Sequence, residues 1–97
     1  MPVIKWNKSA LNQLIKAISY IQEQSIQASE KVQVDILTSI SKLNDNPEKF
    51  PPDKYKLKND KSFRAFELHS YRIAYRYKNN EIRIIRIRHV KQNPKMY

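Results

Sequence analysis

The fold is decided by one segment, YRIAYRYKNNEIRIIRIRHV, at residues 71–90. Isoleucine and tyrosine alternate there with other residues, and Asn79-Asn80 marks a turn, which together predict a β-hairpin. The alternate positions are mostly basic and comprise Arg72, Arg76, Arg83, Arg86 and Arg88, followed by His89. A face that is only exposed to solvent could equally well carry serine, threonine or mixed charges. The uniform positive charge therefore predicts a surface that holds anions, either phosphate or carboxylate.

Upstream of this hairpin, the segment FRAFEL at 63–68 predicts another antiparallel strand. A two-residue turn at His69-Ser70 pairs Leu68 with Tyr71, so that Phe66 opposes Ile73 on the core face. The other face then carries Glu67 opposite Arg72, Ala65 opposite Ala74 and Phe63 opposite Arg76. Because alanine side chains are small, we expect a groove on this face, with Ala65 and Ala74 at its floor and charged residues along its sides.

The register of the last strand remains open in the sequence. A two-residue turn at Asn79-Asn80 puts His89, Ile87, Ile85 and Arg83 on the face of Arg72. A three-residue loop shifts the register by one, so that this face instead receives Arg86 and Arg88 while Ile85 and Ile87 enter the core. The adjacent pair Ile84-Ile85 breaks the alternation, and a β-bulge there would reconcile the two arrangements.

The rest of the chain predicts one short strand and two helices. A strand at 3–6, with Trp6 as a core anchor, precedes a helix from Ser9 to about Gln24. A break near Ser25 starts a second helix, which stops before Pro47. The apolar stripes predicted to be core are Leu11, Leu14, Ile15, Ile18 and Ile21 in the first helix and Val32, Ile36, Ile40 and Leu43 in the second.

The order of these elements predicts the architecture. A loop at 47–62, rich in proline and lysine, leads to strands at roughly 63–68, 71–77 and 82–89. The order β-α-α-β-β-β predicts an α+β fold, in which a helix hairpin packs on one face of a small, mainly antiparallel sheet. We expect residues 1–97 to form a single domain. The sheet face without helices is then free to be the working surface.

Composition narrows the function classes. The net charge is +10 and the pI is near 9.9, which favours a polyanionic partner. Glycine is absent, so glycine-rich phosphate loops are excluded and turns must use Asn, Asp, Pro, Ser or His. Cysteine is absent too, which excludes disulfides and thiolate metal sites. No apolar run approaches the roughly 18 residues of a membrane span, and no signal peptide is evident. These features favour a cytoplasmic protein without cofactor or membrane partner.

Two segments, FRAFELHSYRIAYRY at 63–77 and IRIIRIRHV at 82–90, resemble the carboxy-terminal sheet of the RelE/ParE superfamily. These are small toxins of type II toxin–antitoxin pairs, and the helix hairpin, the length and the element order are similar as well. The resemblance implies one of two activities: RelE-type members cut mRNA in the ribosomal A site, whereas ParE-type members poison DNA gyrase. It also implies a cognate antitoxin whose acidic segment wraps the toxin, and a role in plasmid stabilization.

Metal-independent RNA cleavage requires a base for the 2′-hydroxyl and a cation for the developing charge on phosphate. The resemblance assigns the phosphate contact to Arg72, for which an ion pair with Glu67 is the structural alternative. It assigns proton transfer to His89, and a hydrogen bond or base stacking to Tyr97. The residues expected to bind RNA are Lys54, Lys56, Lys58, Arg76, Arg86, Arg88 and Lys91.

RNA-cleaving members form two branches, one that uses a histidine and one that uses lysines and an arginine, and the match to either is incomplete. Histidine-using relatives pair their histidine with an upstream glutamate, and the nearest residue here is Asp53. His69 lies in a predicted turn, which favours a structural role. The sequence favours a ribosome-dependent mRNA endoribonuclease that inhibits translation, with ribosome and mRNA as partners. The alternatives are a ParE-type inhibitor of DNA gyrase and a non-catalytic nucleic-acid-binding relative.

Overall fold

The computed structural model describes residues 2–93 and 95–97, and it confirms the predicted β-α-α-β-β-β order. Four strands form one sheet in the order β1-β4-β3-β2, in which β1 runs parallel to β4 and the other neighbours are antiparallel. The elements are β1 (Val3–Trp6), α1 (Lys8–Gln24), α2 (Ile26–Ser41), a 3₁₀ turn (Lys42–Asn44), β2 (Phe63–Leu68), β3 (Tyr71–Lys78) and β4 (Glu81–His89).

Ser25 separates the two helices, as predicted. Its backbone is extended, with φ −160°, so the helix cannot continue through it. The Ser25 backbone N–H donates to Ile21 O and closes α1, while its side chain accepts a hydrogen bond from Ala28 N at 3.1 Å and caps α2. Among the described residues, no helix is both long and apolar enough to cross a membrane.

The core lies between the helix hairpin and one face of the sheet. The predicted α2 stripe is confirmed, since Val32, Ile36, Ile40 and Leu43 are all buried. In α1 the prediction is wrong for Leu11 and Ile15, which are 44% and 54% exposed. Ala10 and Leu14 take the buried positions, with Ile18 and Ile21 partly buried beside them. A stripe of five residues is wider than the contact that one helix makes with the sheet, so its flank faces solvent.

Both hairpins turn without glycine. The pairing of β2 with β3 is the predicted one, with Leu68 opposite Tyr71 and Glu67 opposite Arg72. All four turn residues have positive φ, as type I′ turns require: 52° for His69, 68° for Ser70, 54° for Asn79 and 60° for Asn80. Asparagine and histidine are enriched among residues with positive φ, whereas serine adopts this region at greater cost.

A β-bulge at Ile85 settles the register of β4. Lys78 pairs with Glu81 across a two-residue turn, and the regular ladder continues to Tyr75 opposite Ile84. The register then shifts, so that Ala74 opposes Arg86 and Ile85 has no partner. Beyond the bulge, Arg86 and Arg88 share the face of Arg72, and Ile87 enters the core.

Candidate functional site

The sheet face opposite the helices is not free, which corrects the expectation from the sequence. Residues 51–59 run along the edge of β2, where Asp53 N donates to Phe63 O at 2.8 Å. The segment 95–97 then pairs with this loop: Tyr97 N donates to Tyr55 O at 3.1 Å, and Leu57 N donates to Tyr97 O at 2.7 Å. The predicted groove is therefore largely filled by the protein's own chain.

Asp53 is the centre of this covered face. It is only 2% exposed, and its Oδ1 accepts hydrogen bonds from Arg72 Nη2 at 2.8 Å and from Tyr55 N at 3.1 Å. Its Oδ2 accepts a hydrogen bond from the Tyr97 hydroxyl at 2.6 Å. Burial acts to raise the pKa of Asp53, but the hydrogen bonds from Tyr97, Arg72 and Tyr55 outweigh it and leave that pKa below its usual value.

Arg72 is held by two carboxylates. Its Nη1 donates to Glu67 Oε2 at 3.0 Å, and its guanidinium lies 4.9 Å from the centre of the Tyr55 ring. Desolvation acts to lower the pKa of Arg72, yet the bonds to Asp53 and Glu67 raise it above its usual value. The charge that the sequence assigned to a phosphate is thus already balanced within the chain.

Tyr97 anchors the segment 95–97. Its ring lies 4.0 Å from the Arg86 guanidinium and meets Phe63 edge-on at 6.3 Å. Burial, reinforced by the hydrogen bond to Asp53, raises the pKa of its hydroxyl. Tyr97 and Arg72, two residues predicted to be catalytic, are therefore brought together through Asp53.

His89 lies on the other face. It pairs with Tyr71, whose ring it meets edge-on at 5.1 Å, whereas Arg72 pairs with Arg88. Because side chains alternate along a strand, His89 points to the helix side of the sheet. Its Nδ1 accepts a hydrogen bond from Lys91 N at 3.0 Å, so the neutral ring carries its proton on Nε2. His89 and Arg72 border one small hollow, but among the described residues no hydrogen bond joins His89 to Arg72 or Tyr97.

The lysines predicted to bind RNA are spread around the loop. Lys56 donates to Tyr97 O at 3.3 Å and lies over the Phe63 ring, while Lys54 lies over the Tyr55 ring at 5.3 Å. Lys58 is exposed at a position with φ 52°. Lys91 is exposed just beyond β4. These residues do not converge on one point.

The arginines predicted to bind RNA differ in their partners. Arg76 bonds Ser62 Oγ at 2.9 Å and approaches Asp60 at 3.6 Å. Arg86 donates to the backbone oxygen of Lys95 at 2.6 Å, and Arg88 donates to that of Asn93 at 3.3 Å. Burial is the main reason that the pKa of Arg86 falls below its usual value, and the charges of Arg88 and Arg72 contribute.

A small hollow of about 50 Å³ remains on this face. Ala74 lies at its floor, and its walls include Arg72, Arg86 and Arg88. The sequence reasoning missed Tyr55 and Lys95, which also line it, and missed Asp53 as the hub of the face. One signal for Asp53 was available, since it is the single acidic residue in the basic stretch PPDKYKLK. Among the described residues, no three His, Asp or Glu side chains cluster as a metal site would require.

Comparison with known proteins identifies the family. Residues 4–94 match the model of a family described as ParE toxin of type II toxin–antitoxin system, parDE. The chain belongs to the ParE toxin family. This result confirms the RelE/ParE resemblance that the strand segments suggested.

A solved structure shares the fold of this ParE-family chain, and a second shows a weaker likeness. A chain from the chromosomal ParDE toxin–antitoxin system of P. aeruginosa has a TM-score of 0.68 and 22% identity, covering 92% of this chain and 96% of that one. A chain from the RelBE2 toxin–antitoxin complex of Mycobacterium tuberculosis has a TM-score of 0.48 and 14% identity, covering 91% and 90%. No curated protein sequence matches significantly.

Proposed function

We propose that this protein is the toxin of a type II toxin–antitoxin pair and that it inhibits DNA gyrase by binding rather than by cutting mRNA. Membership of the ParE family supports this choice, because ParE-type members of the superfamily poison gyrase. The sequence alone favoured mRNA cleavage, whereas the geometry of the covered face supports inhibition of gyrase.

The observation that carries the proposal is that Arg72 is bound by two carboxylates while His89 packs on Tyr71. In-line cleavage of RNA needs a proton acceptor and a charge-stabilising group at the same phosphodiester. In the β3–β4 ladder His89 pairs with Tyr71, against whose ring it packs, whereas Arg72 pairs with Arg88, so their side chains alternate across the sheet although both residues border one hollow. Arg72 is also bound to Asp53 and Glu67, so a phosphate would have to displace two carboxylates.

Asp53 and Tyr97 are poor substitutes for an acid–base pair. The pKa of Asp53 lies below its usual value, which makes this carboxylate a weak base near neutral pH. The pKa of Tyr97 is raised, which makes its hydroxyl a weak acid. Their contact supports a structural role that fastens the loop and the segment 95–97 to the sheet.

The partner in this proposal is a cognate antitoxin with an acidic segment. The fold is shared with a chain of a ParDE system, and the net charge of +10 would speed association with an acidic protein. The toxin is then expected to arrest growth of bacteria when expressed alone in their cytoplasm and to be neutralised by the product of a neighbouring gene. Normal growth during expression without the antitoxin would contradict the toxin assignment.

Two assays on the same purified protein test the mechanism. In a supercoiling assay with purified gyrase, the wild type should inhibit, and His89→Gln should inhibit equally well. In a purified translation system, primer extension on mRNA should reveal no cuts. Cuts within ribosome-bound codons that vanish with Arg72→Ala, together with unimpaired supercoiling, would establish the nuclease mechanism instead. Because Arg72→Ala removes a structural contact, its folding must be checked by circular dichroism.

A further inference from the structure

Two arginines on the covered face differ from the others in charge balance. The other four arginines each form an ion pair with a carboxylate. The pairs are Arg64 with Glu48, Arg72 with Asp53 and Glu67, Arg76 with Asp60, and Arg83 with Glu81. Within residues 2–93 and 95–97, neither Arg86 nor Arg88 forms such a pair. Both are half-buried, so their charges are partly removed from water, and the carboxylates beside them, Asp53 and Glu67, already pair with Arg72.

Their surroundings increase this imbalance. Arg88 lies directly opposite Arg72 across the ladder, and like charges in that position are destabilising. Lys95 adds a further cation at the rim of the same hollow. The donors of Arg86 and Arg88 reach only backbone oxygens, those of Lys95 and Asn93. Neutral carbonyls satisfy these hydrogen bonds but leave the positive charge in place.

The hollow fits a small anionic group. Arg86 opposes Ala74, and the short alanine side chain lies at the floor of a space of about 50 Å³, which Arg72, Arg86, Arg88, Glu67 and His89 help to line. A volume of this size holds a few water molecules, and therefore a phosphate-sized group but not a whole nucleoside. Tyr55 lines the wall and offers an aromatic ring next to that group.

We propose that this hollow binds a phosphodiester group of a nucleic-acid backbone, gripped by the forked guanidinium groups of Arg86 and Arg88. Arginine suits phosphate because its planar fork donates two parallel hydrogen bonds, and a charged acceptor binds more strongly than the carbonyls now in place. A backbone also repeats its charge, so that Lys95 at the rim can meet a neighbouring phosphate. A single carboxylate would neutralise only the centre of the hollow.

This site goes beyond the proposed inhibition of gyrase. Gyrase acts on DNA, so a toxin with a phosphodiester site could contact the enzyme and its bound DNA together. The argument for the site depends only on Arg86, Arg88 and their surroundings, and it can be tested without gyrase. Failure of one proposal is therefore distinguishable from failure of the other.

The test is binding of labelled nucleic acid to the full-length protein by fluorescence anisotropy at several salt concentrations. The probes are a duplex DNA, a single-stranded RNA and a poly-glutamate competitor of matched charge. The proteins are the wild type, the double variant Arg86→Gln/Arg88→Gln and the control Arg83→Gln. The control removes an arginine from the same strand and face, but Arg83 is held by Glu81 and Asn7 outside the hollow. The single variant Arg88→Lys keeps the charge and loses the fork.

We expect the double variant to bind nucleic acid at least about tenfold more weakly than the wild type. The slope of log K against log salt should fall by about two, because two phosphate contacts are lost. Arg83→Gln should change the affinity less than about threefold, and Arg88→Lys should lie between wild type and double variant. The relative affinities of DNA and RNA distinguish the two sources of the phosphodiester.

Two results would overturn the proposal. One is a double variant that melts within a few degrees of the wild type and binds nucleic acid as well as Arg83→Gln does. The other is competition by poly-glutamate as strong as that by unlabelled DNA of the same charge, which would identify a general carboxylate site. If the double variant fails to fold, Arg88→Lys decides: an affinity equal to that of the wild type contradicts a forked contact to phosphate.

Discussion

The hydroxyl of Tyr97 lies 2.6 Å from Oδ2 of Asp53, a residue 44 positions earlier in the chain. The other carboxylate oxygen of Asp53 binds Arg72 in β3. One buried carboxylate thus joins the central hairpin, the loop that precedes it and the segment 95–97. Arg72 and Tyr97, two of the three residues that the sequence marked as catalytic, therefore hold the covered face together.

Tyr97→Phe removes only the hydroxyl of this contact. We expect the free energy of unfolding to fall by about 2 kcal/mol, because the hydrogen bond is made to a charged and buried acceptor. Urea denaturation followed by circular dichroism measures this loss. Tyr20→Phe is the matched control, since Tyr20 is an exposed residue of α1, and it should be neutral. An equal effect of the two substitutions would show that the contact contributes nothing to stability.

Asp53→Asn should change how stability depends on pH. The pKa of Asp53 in the folded protein lies below the ordinary value of 3.8, so the folded state binds this proton less readily than the unfolded state does. Its stabilisation is therefore fully present above the ordinary pKa and is lost as pH falls through the folded pKa. We expect Asp53→Asn to cost about 3 kcal/mol near pH 7, and the difference from wild type to shrink below about pH 4. Urea denaturation at pH values from 3 to 7 tests this, and a constant difference would contradict it.

His89→Gln separates the two candidate mechanisms in the living cell. Because His89 packs against Tyr71 on the helix side, the substitution should cost about 1 kcal/mol of stability and leave growth arrest intact. Induction of the wild type and the variant from the same promoter, with immunoblots to equalise their levels, gives the comparison. Loss of growth arrest in a variant that is present at the wild-type level would place His89 in the toxic activity.

The sequence predicted the fold well because its strongest signals are local. Alternation in the β-strands, the Ser25 break and the two-residue turns each depend on neighbouring residues, and the structure contains all of them. The packing of the loop on the sheet depends instead on residues that are distant in the sequence. The contacts of Asp53 with Arg72 and Tyr97 join positions 19 and 44 residues apart, which no periodicity reveals. The expectation of a free arginine face was wrong for this reason.

Ser70 offers a test of backbone strain in the β2–β3 turn. Its φ of 68° is unfavourable for a residue with a Cβ atom, and a type I′ turn prefers glycine at this second position. Ser70→Gly should raise the free energy of unfolding by about 1 kcal/mol, with the hydrogen bond from Val90 N to the residue 70 oxygen retained. Thermal unfolding checks this. Ser70→Ala keeps the Cβ atom and should give no gain, so a similar gain from both variants would exclude strain as the cause.

The β-bulge at Ile85 leads us to predict how the protein responds to deletion of this residue. Ile85 is the unpaired residue between Ile84, which opposes Tyr75, and Arg86, which opposes Ala74. Removing it leaves a regular ladder in which Arg86 and Arg88 stay on the outer face and Ile87 stays in the core. We therefore expect the protein without Ile85 to fold, with a loss of no more than about 2 kcal/mol.

Deletion of Ile87 is the matched control, because it also removes one isoleucine from β4. It would bring Arg88 opposite Ile73, a fully buried residue, and so place a guanidinium in the core. This variant should fail to fold, whereas the protein without Ile85 should show wild-type circular dichroism and a cooperative urea transition. If both deletions unfold the protein, the bulge itself is required. In that case the alternation of arginine and isoleucine does not by itself determine which face of the sheet the arginines occupy.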